Sequence, residues 1–340
     1  MRIAVAIIAA VLLAAALREA SSVFAPLALG FFAIALVWPL QKRLQTKIPK
    51  LLALAVTISL TVLVCISFGS LVTWGFQRVG RSLIADAARY QALYGTLVAW
   101  LDGHGVSVAE LWAEHFNVSW LLRATQHVTG RVNTTFSFWI VAFVYIVLGL
   151  LEVGDARRRL ETFGKSEGAR VLLEGSVATA AKLRKYMLVR TLMSFITGLL
   201  VGAFAWGTGL QFALEWGVIA FALNYIPFLG PFIATLFPTL LAMTQFESWQ
   251  AVLATFVCLN LIQFVVGSYV EPRFAGTTLS ISPLAVLFSI FFWTFLWGVF
   301  GAFIGVPIVI AILTFCDQHP SSRWIAQLFG GPSRAESDKF

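Results

Sequence analysis

Charge is scarce in this 340-residue chain: 12% of its residues are Asp, Glu, Lys or Arg, against about 25% in soluble domains. That excludes an ordinary soluble globular protein. Cysteine is sparse too. Cys65, Cys258 and Cys316 each lie within or at the end of an apolar run, with neither a disulfide framework nor a metal-ligand spacing between them. They read as small core residues and say nothing of redox compartment. Of the few histidines, His104, His115 and His127 lie near Glu110 and Glu114. No His-Glu-x-x-His spacing or compact His/Cys cluster accompanies them, so no metal site is assigned. No P-loop is present, which argues against nucleotide-driven pumping by this chain alone. Gly164-Lys165-Ser166-Glu167-Gly168 satisfies G-x-S-x-G, but in a charged stretch without the strand-turn-helix setting that exposes a nucleophile. The sequence therefore predicts no enzyme and no cofactor.

Apolar residues make up 59% of the chain, and the mean hydropathy is +0.86. They fall in eight runs, at about 3–17, 23–40, 51–76, 136–151, 187–210, 216–243, 249–270 and 283–316. A membrane span needs about 20 apolar residues, so the expected class is an all-α polytopic membrane protein. The net charge of +8 does not imply nucleic acid, because the basic residues sort by loop and form no patch interleaved with aromatics. Lys42, Arg43, Lys47 and Lys50 share one short loop with no acid. Arg157, Arg158, Arg159, Lys165, Arg170, Lys182, Arg184 and Lys185 outnumber Asp155, Glu161, Glu167 and Glu174 in another. The positive-inside rule places both loops, and with them both termini, in the cytoplasm. An alternative for the first run, with Arg2 ahead of it, is a signal peptide ending near Ala20. That would leave the later orientation unchanged.

The resulting map has N-terminal spans over 1–76, an outer region over 77–135, a span at 136–152, a basic cytoplasmic region over 153–186, a core over 187–316 and a cytoplasmic tail over 317–340. Leu83, Ala87, Tyr90, Leu93, Tyr94, Leu97 and Leu101 recur at helical spacing and predict an outer helical hairpin bent at Asp102-Gly103-His104-Gly105. Leu160, Phe163, Val171, Leu172 and Leu183 set an apolar face against the basic surface of 153–186. That element either lies on the anionic leaflet or packs on the bundle.

Two runs of the core are broken. The run 216–243 is interrupted by Asn224-Tyr225-Ile226-Pro227-Phe228-Leu229-Gly230-Pro231, and the run 283–316 by residues from Gly298 through Gly301 and Gly305 to Pro307. Non-helical backbone survives at membrane depth only inside protein or against a water-filled cavity, so a pair of breaks points to a transport site. Each broken run is either two spans or a re-entrant hairpin. Residues 216–243 are too few for two spans of about 20, which favours a hairpin there.

The string from Asn224 to Pro231 resembles the Asn-[Tyr/Phe]-[Ile/Val]-Pro-x-[Ile/Leu]-Gly-Pro element of the autoinducer-2 exporter family. The stretch from Gln263 through Gly267, Ser268, Glu271, Pro272 and Arg273 to Gly276 is similar to a second element, from the branch that includes PerM-like proteins. Leu279-Ser280-Ile281-Ser282-Pro283, Trp293, Trp297-Gly298, Gly301 and Val306-Pro307 continue the likeness. Ser268 stands where the family usually has asparagine, and Val266 where other branches carry an acid. The resemblance implies a transporter of a small polar solute, an autoinducer-2-like signal in quorum sensing. It also implies a homo-oligomer, a pentamer, held by the early spans.

Pro227 and Pro231 remove backbone donors, which predicts that carbonyls near Leu223 and Asn224 turn to solvent or solute. Asn224 and Tyr225 stand beside them; Asn224 either contacts solute or caps a helix. Asn260, Gln263, Gly267 and Glu271 recur at steps of three and four and predict one polar face, reading either as a pathway or as interhelical bonding. Glu271 precedes Pro272, and Arg273 is its expected ion-pair partner. Gly230 belongs with Asn224, Tyr225, Pro227 and Pro231 in the candidate solute pathway; Gly298, Gly301, Gly305 and Pro307 read as packing or hinge positions, Gly198 and Gly202 as packing, and Trp293 and Trp297 as packing or interfacial anchors.

The preferred reading is a secondary transporter that exports a small polar solute across a bacterial inner membrane by alternating access. One rival is a sodium or lithium/proton antiporter, weakened because Glu215, Glu247 and Glu271 all fall near segment ends. The other is a non-transporting scaffold whose loops recruit partners.

Overall fold

A computed structural model describes residues 2–86, 88–92, 95, 103, 132–162, 166–246, 248–275 and 281–330. Helices account for almost all of them: α1 (Arg2–Glu19), α2 (Ser21–Gln45), α3 (Lys50–Ala85), α4 (Val132–Thr162), α5 (Glu167–Gly207), α6 (Ala213–Leu223), α7 (Leu229–Gln245), α8 (Trp249–Val265), α9 (Glu271–Ala275), α10 (Pro283–Gln318) and α11 (Arg323–Phe329). A single π-turn, Val266–Val270, joins α8 to α9. No strand occurs among the described residues. Six of these helical stretches are long and apolar enough to cross a membrane, and α6 and α7 are shorter apolar helices. The all-α polytopic class is what the eight apolar runs predict.

Three of the long helices start with the same local chemistry. Ser166, Ser248 and Ser282 each accept a hydrogen bond from the backbone N–H three residues on, at Ala169, Ala251 and Ala285. Each serine thereby satisfies one of the free amides of a first turn. At α10 the first helical residue is Pro283, which needs no amide partner.

The helix ends sort into two groups. At one end, which we call the basic end, Lys50 at the start of α3 approaches Asp155 of α4 at 3.9 Å. At the opposite end Arg78 of α3 pairs with Glu215 of α6 at 2.9 Å. There the Gln245 side chain closing α7 donates to the Gly209 carbonyl at 2.7 Å and accepts from the Gln211 amide at 2.8 Å. The α6–α7 pair therefore starts and finishes at the opposite end, with its tip at 224–228 between.

The run 283–316 also folds back on itself. Gly298 has φ 63° and ψ −141°, far from helical values. A methyl group on Gly301 would collide with the Trp293 carbonyl, and one on Gly305 would lie 3.1 Å from the Ser289 carbonyl. A continuous helix would hold those pairs about 12 and 24 Å apart, at 1.5 Å per residue. The arms 283–297 and 299–318 are thus antiparallel. Their ends are brought together by α11, whose Phe329 carbonyl accepts from the Ser282 amide at 3.0 Å. This hairpin starts at the basic end, where α8 and α9 finish, so the two hairpins enter the bundle from opposite ends.

Three expectations change. The reversal falls at Gly298 alone, and Pro307 lies within the second arm without ending it. The boundary between 153–186 and 187–210 is not structural: α5 runs 41 residues through it, because no proline or other strong breaker separates the charged part from the apolar part. The region 77–135 begins inside α3, and the hairpin bend expected at 102–105, like the Gly164-Lys165 half of the G-x-S-x-G string, lies outside the described residues apart from isolated positions.

Packing of the hairpins uses small residues. Methyl groups on Gly198 of α5 or Gly217 of α6 would each strike the other's carbonyl, at 2.6 and 2.8 Å. Close backbone approach of this kind is how helices associate where no hydrophobic drive separates them from lipid. Around it lies a cluster of Val201, Trp216, Ile219, Leu241 and Leu259. A second cluster, Leu29, Phe32, Ile290, Ile304, Val306 and Ile310, joins α2 to the α10 hairpin.

Candidate functional site

Between the two hairpins lies a cavity of about 510 Å³. Its walls come from α5 (Tyr186, Val189, Arg190), the tip of α6–α7 (Asn224, Pro227, Phe228, Pro231), the π-turn region (Gln263, Val266, Gly267, Ser268, Glu271) and both arms of α10 (Pro283, Val286, Val306, Ile310). Ala275 and Ile281 complete its lining. The volume lies within the range of small-molecule sites, and the mixture of apolar walls with a few polar groups is their usual composition.

The tip of α6–α7 keeps part of its backbone paired despite two prolines. The Ile226 amide donates to the Leu223 carbonyl at 2.9 Å, and the Gly230 amide to the Ile226 carbonyl at 2.9 Å. The expectation that the Leu223 carbonyl turns to solvent or solute is therefore corrected: local turn amides claim it. Leu229 donates to the Pro227 carbonyl at 2.7 Å, a γ-turn whose central residue is Phe228, at φ 63° and ψ −53°. This form of γ-turn is rare and strained for a residue with a Cβ. Gly230 is required by proximity, since a methyl there would overlap the Leu223 carbonyl.

Side chains pin the tip to α5. Asn224, 6% exposed, donates through Nδ2 to Ser194 Oγ at 3.3 Å. Tyr225 donates its hydroxyl to Thr191 at 3.0 Å and packs edge-on against Phe68 and Phe221. Asn224 thus both lines the cavity and anchors the tip, whereas Tyr225 faces away from the cavity.

Arg190 is the group that sequence reasoning missed. It is 6% exposed, and its Nη1 donates to both carboxylate oxygens of Glu271 at 3.0 Å. The expected partner, Arg273, is exposed and makes no ion pair with Glu271. The reason is angular: Glu271 turns inward toward α5, while a position two residues further projects outward. A lone arginine within the apolar run 187–210 was the available signal, because charges at membrane depth face the interior and pair. Two further buried groups beside this pair have no hydrogen-bond partner of regular geometry, the Tyr186 hydroxyl and the Gln263 amide nitrogen, and neither has Arg190 Nε.

The polar face of α8 is only partly assembled. Gln263, Gly267 and Glu271 reach the cavity. Asn260 does not; its Nδ2 donates to the Phe256 carbonyl of its own helix at 2.8 Å. Asn260 lies about 4.5 Å further back along α8 than Gln263, and the π-turn at Val266–Val270 shifts Glu271 in register relative to both. Pro272 is exposed beside Arg273. The α10 glycines and Pro307 stand outside the cavity. Trp293 and Trp297 pack on each other at 4.6 Å, and Trp297 Nε1 donates to the Leu17 carbonyl at 3.0 Å. Among the described residues no group of His, Cys, Asp and Glu side chains is placed to hold a metal ion.

A cavity at the meeting of two broken hairpins in an apolar helical bundle is the arrangement of a membrane transporter. The sequence pattern of the AI-2E family transporters matches residues 3–321. This chain belongs to that family. It is 24% identical over 323 residues to "AI-2 transport protein TqsA" of Escherichia coli (strain K12), covering 94% of this chain and 92% of that protein. It is 23% identical over 341 residues to a "Putative transport protein" of Haemophilus influenzae, covering 95% and 94%. It is 31% identical over 152 residues to "Putative transport protein YhhT" of Escherichia coli (strain K12), covering 45% and 43%. As an AI-2E family transporter with several apolar helices, the chain is a multi-pass membrane protein.

Proposed function

We propose that this AI-2E family member exports a small polar solute, of the autoinducer-2 kind used in quorum sensing, across the bacterial inner membrane by alternating access. The observation that carries the reading is the cavity itself: the tip of α6–α7, the two arms of the α10 hairpin and the polar part of α8–α9 converge on one space large enough for a small solute. In this reading the α6–α7 hairpin is re-entrant from outside and the α10 hairpin from the cytoplasm, with both termini cytoplasmic. The lengths support it, since 11 residues of α6 reach about 16 Å, roughly half of a hydrocarbon core of about 30 Å. Movement of the hairpins against α2–α5 exposes the cavity to one face and then the other. The apolar side chains along α1 and α3, such as Val11, Leu12, Leu63 and Ile66, are largely exposed. They suit contact with lipid or with further copies, and a homo-oligomer held by the early spans, a pentamer by family resemblance, would use them.

The test is saturable autoinducer-2 equilibration into liposomes carrying the purified protein, with no ion gradient, compared with empty vesicles. Loss of flux in Asn224→Ala and Pro227→Ala, with normal reconstitution, supports the site. Unchanged flux in both removes it and returns the scaffold reading. Cation/proton antiport is the second reading, because Glu271 is the acid that lines the cavity. Its bidentate pairing with Arg190 neutralises it and weighs against that role. Sodium-driven acidification or alkalinisation of the same vesicles, in place of solute flux, would reverse the ranking.

A further inference from the structure

The buried polar groups around the cavity are unequally matched. Arg190 uses Nη1 on Glu271 and lies against the Tyr186 hydroxyl, with its Nε in no hydrogen bond of regular geometry. The Tyr186 hydroxyl, which lies against the guanidinium, keeps its own proton to donate, and the Gln263 amide nitrogen has no partner. Among the described residues the anion facing them from the walls is Glu271, whose side chain is 30% exposed while that of Arg190 is 7% exposed. Within the pair, therefore, the cation is fixed deep in the wall and the carboxylate is the more accessible partner. Glu271 also stands at the start of the five-residue α9, directly after the π-turn and before Pro272, where the helix is least continuous. A buried guanidinium with spare donors, beside a phenol and an amide, is complementary to oxygen acceptors carrying negative charge. A metal cation or an ammonium would need acceptors, and the donors of Arg190 oppose it.

We infer that the cavity binds a small oxyanion-bearing solute, a carboxylate or phosphate, whose oxygens take the place of Glu271 on Arg190, so that Glu271 acts as an internal mimic released when solute arrives. This rests on the proposal that the cavity is the solute site, and narrows the solute from polar to anionic. Gln263 and Tyr186 then bind the remaining acceptor oxygens, and Asn224 contacts the uncharged part. The internal carboxylate keeps Arg190 paired when no solute is bound, which an isolated buried charge requires.

The experiment is titration calorimetry of the full-length protein in detergent at constant ionic strength, with lactate and inorganic phosphate as anionic probes and glycerol as the neutral one. Wild type is expected to bind an anionic probe and not glycerol. Glu271→Gln, which removes the competitor and keeps the shape, is expected to tighten anion binding by about tenfold, the worth of one charge-assisted contact. The same anion should raise the melting temperature of Glu271→Gln more than that of wild type. The double variant Arg190→Met with Glu271→Leu removes the pair without stranding a charge and should lose anion binding. Equal affinity for anions in wild type and Glu271→Gln, or anion binding that survives in the double variant, overturns the inference. Two outcomes separate it from the transport proposal. Anion binding that follows this pattern without any vesicle flux sustains the inference and sinks transport. Saturable flux of a neutral solute that persists in the double variant sustains transport and sinks the inference.

Discussion

The two hairpins solve one geometric problem with different chemistry. Both reverse the chain inside an apolar bundle, and both place a glycine where the returning arm first touches the outgoing one, Gly230 on the Leu223 carbonyl and Gly301 on the Trp293 carbonyl. They part at the tip. The α6–α7 tip is a polar object: two prolines, a strained Phe228, and two side-chain hydrogen bonds to α5. The α10 tip turns on Gly298 alone and is held by aromatic packing and the bond from Trp297 to Leu17. Accordingly the first hairpin gives the cavity its tip, and the second gives it the apolar sides of its arms. A hairpin that only has to reverse needs one permissive residue, whereas a hairpin that presents groups to a ligand needs a fixed tip.

The sharpest way to break this comparison is at its common element. Gly230→Ala and Gly301→Ala should each destabilise by about 3 kcal/mol, since the clash is with backbone that cannot turn away; thermal melting in detergent checks it. Equal damage confirms the shared device, and tolerance at one site shows that its arms can part. Next comes Gly298→Ala, where space is open but the backbone conformation is nearly confined to glycine, at a cost of about 2 kcal/mol. The same assay should show that α10 depends on this residue.

Smaller effects separate the tips by function. Ser194→Ala and Trp297→Phe each delete one anchoring hydrogen bond and should cost about 1 kcal/mol. Only Ser194→Ala should also weaken solute binding, because it loosens Asn224 while Trp297 lies outside the cavity. Calorimetry on both variants decides it, and equal loss of binding would mean that the tips are not divided as described. Smallest is Phe228→Gly. Relief of strain, offset by the greater freedom of glycine in the unfolded chain, should leave a gain of about 0.5 kcal/mol, visible as a slight rise in melting temperature.

Much of this was legible in the sequence for physical reasons. Spans announce themselves because lipid demands about 20 apolar residues at a stretch, and the cluster at 224–231 announces a break because its two prolines each remove a backbone donor. Asn224, Pro227, Pro231, Gln263, Gly267 and Glu271, picked out by motif and spacing, do come to line one cavity. What stayed hidden depends on contacts between distant segments. Glu271 finds Arg190, 81 residues away, and not its neighbour Arg273. The Leu223 carbonyl is claimed by a turn amide whose geometry no periodicity reveals. Pro307 looked like a breaker, yet it sits inside an arm. The π-turn is invisible to a count of threes and fours, and Asn260, which that count placed with the others, bonds instead within its own helix.

The π-turn also fixes how the chain can change in length. An α-helix advances 100° per residue, and residues 266–270 carry one residue more than a regular helix would hold. Removing any one of them would let α8 and α9 run on as ordinary helix, and Glu271 would swing a little more than a quarter-turn away from Arg190. The ion pair, though made of two side chains, is in that sense encoded by a miscount in the backbone between Gln263 and Glu271. A relative lacking that one residue would have to find its counter-charge elsewhere, however well the two letters themselves align.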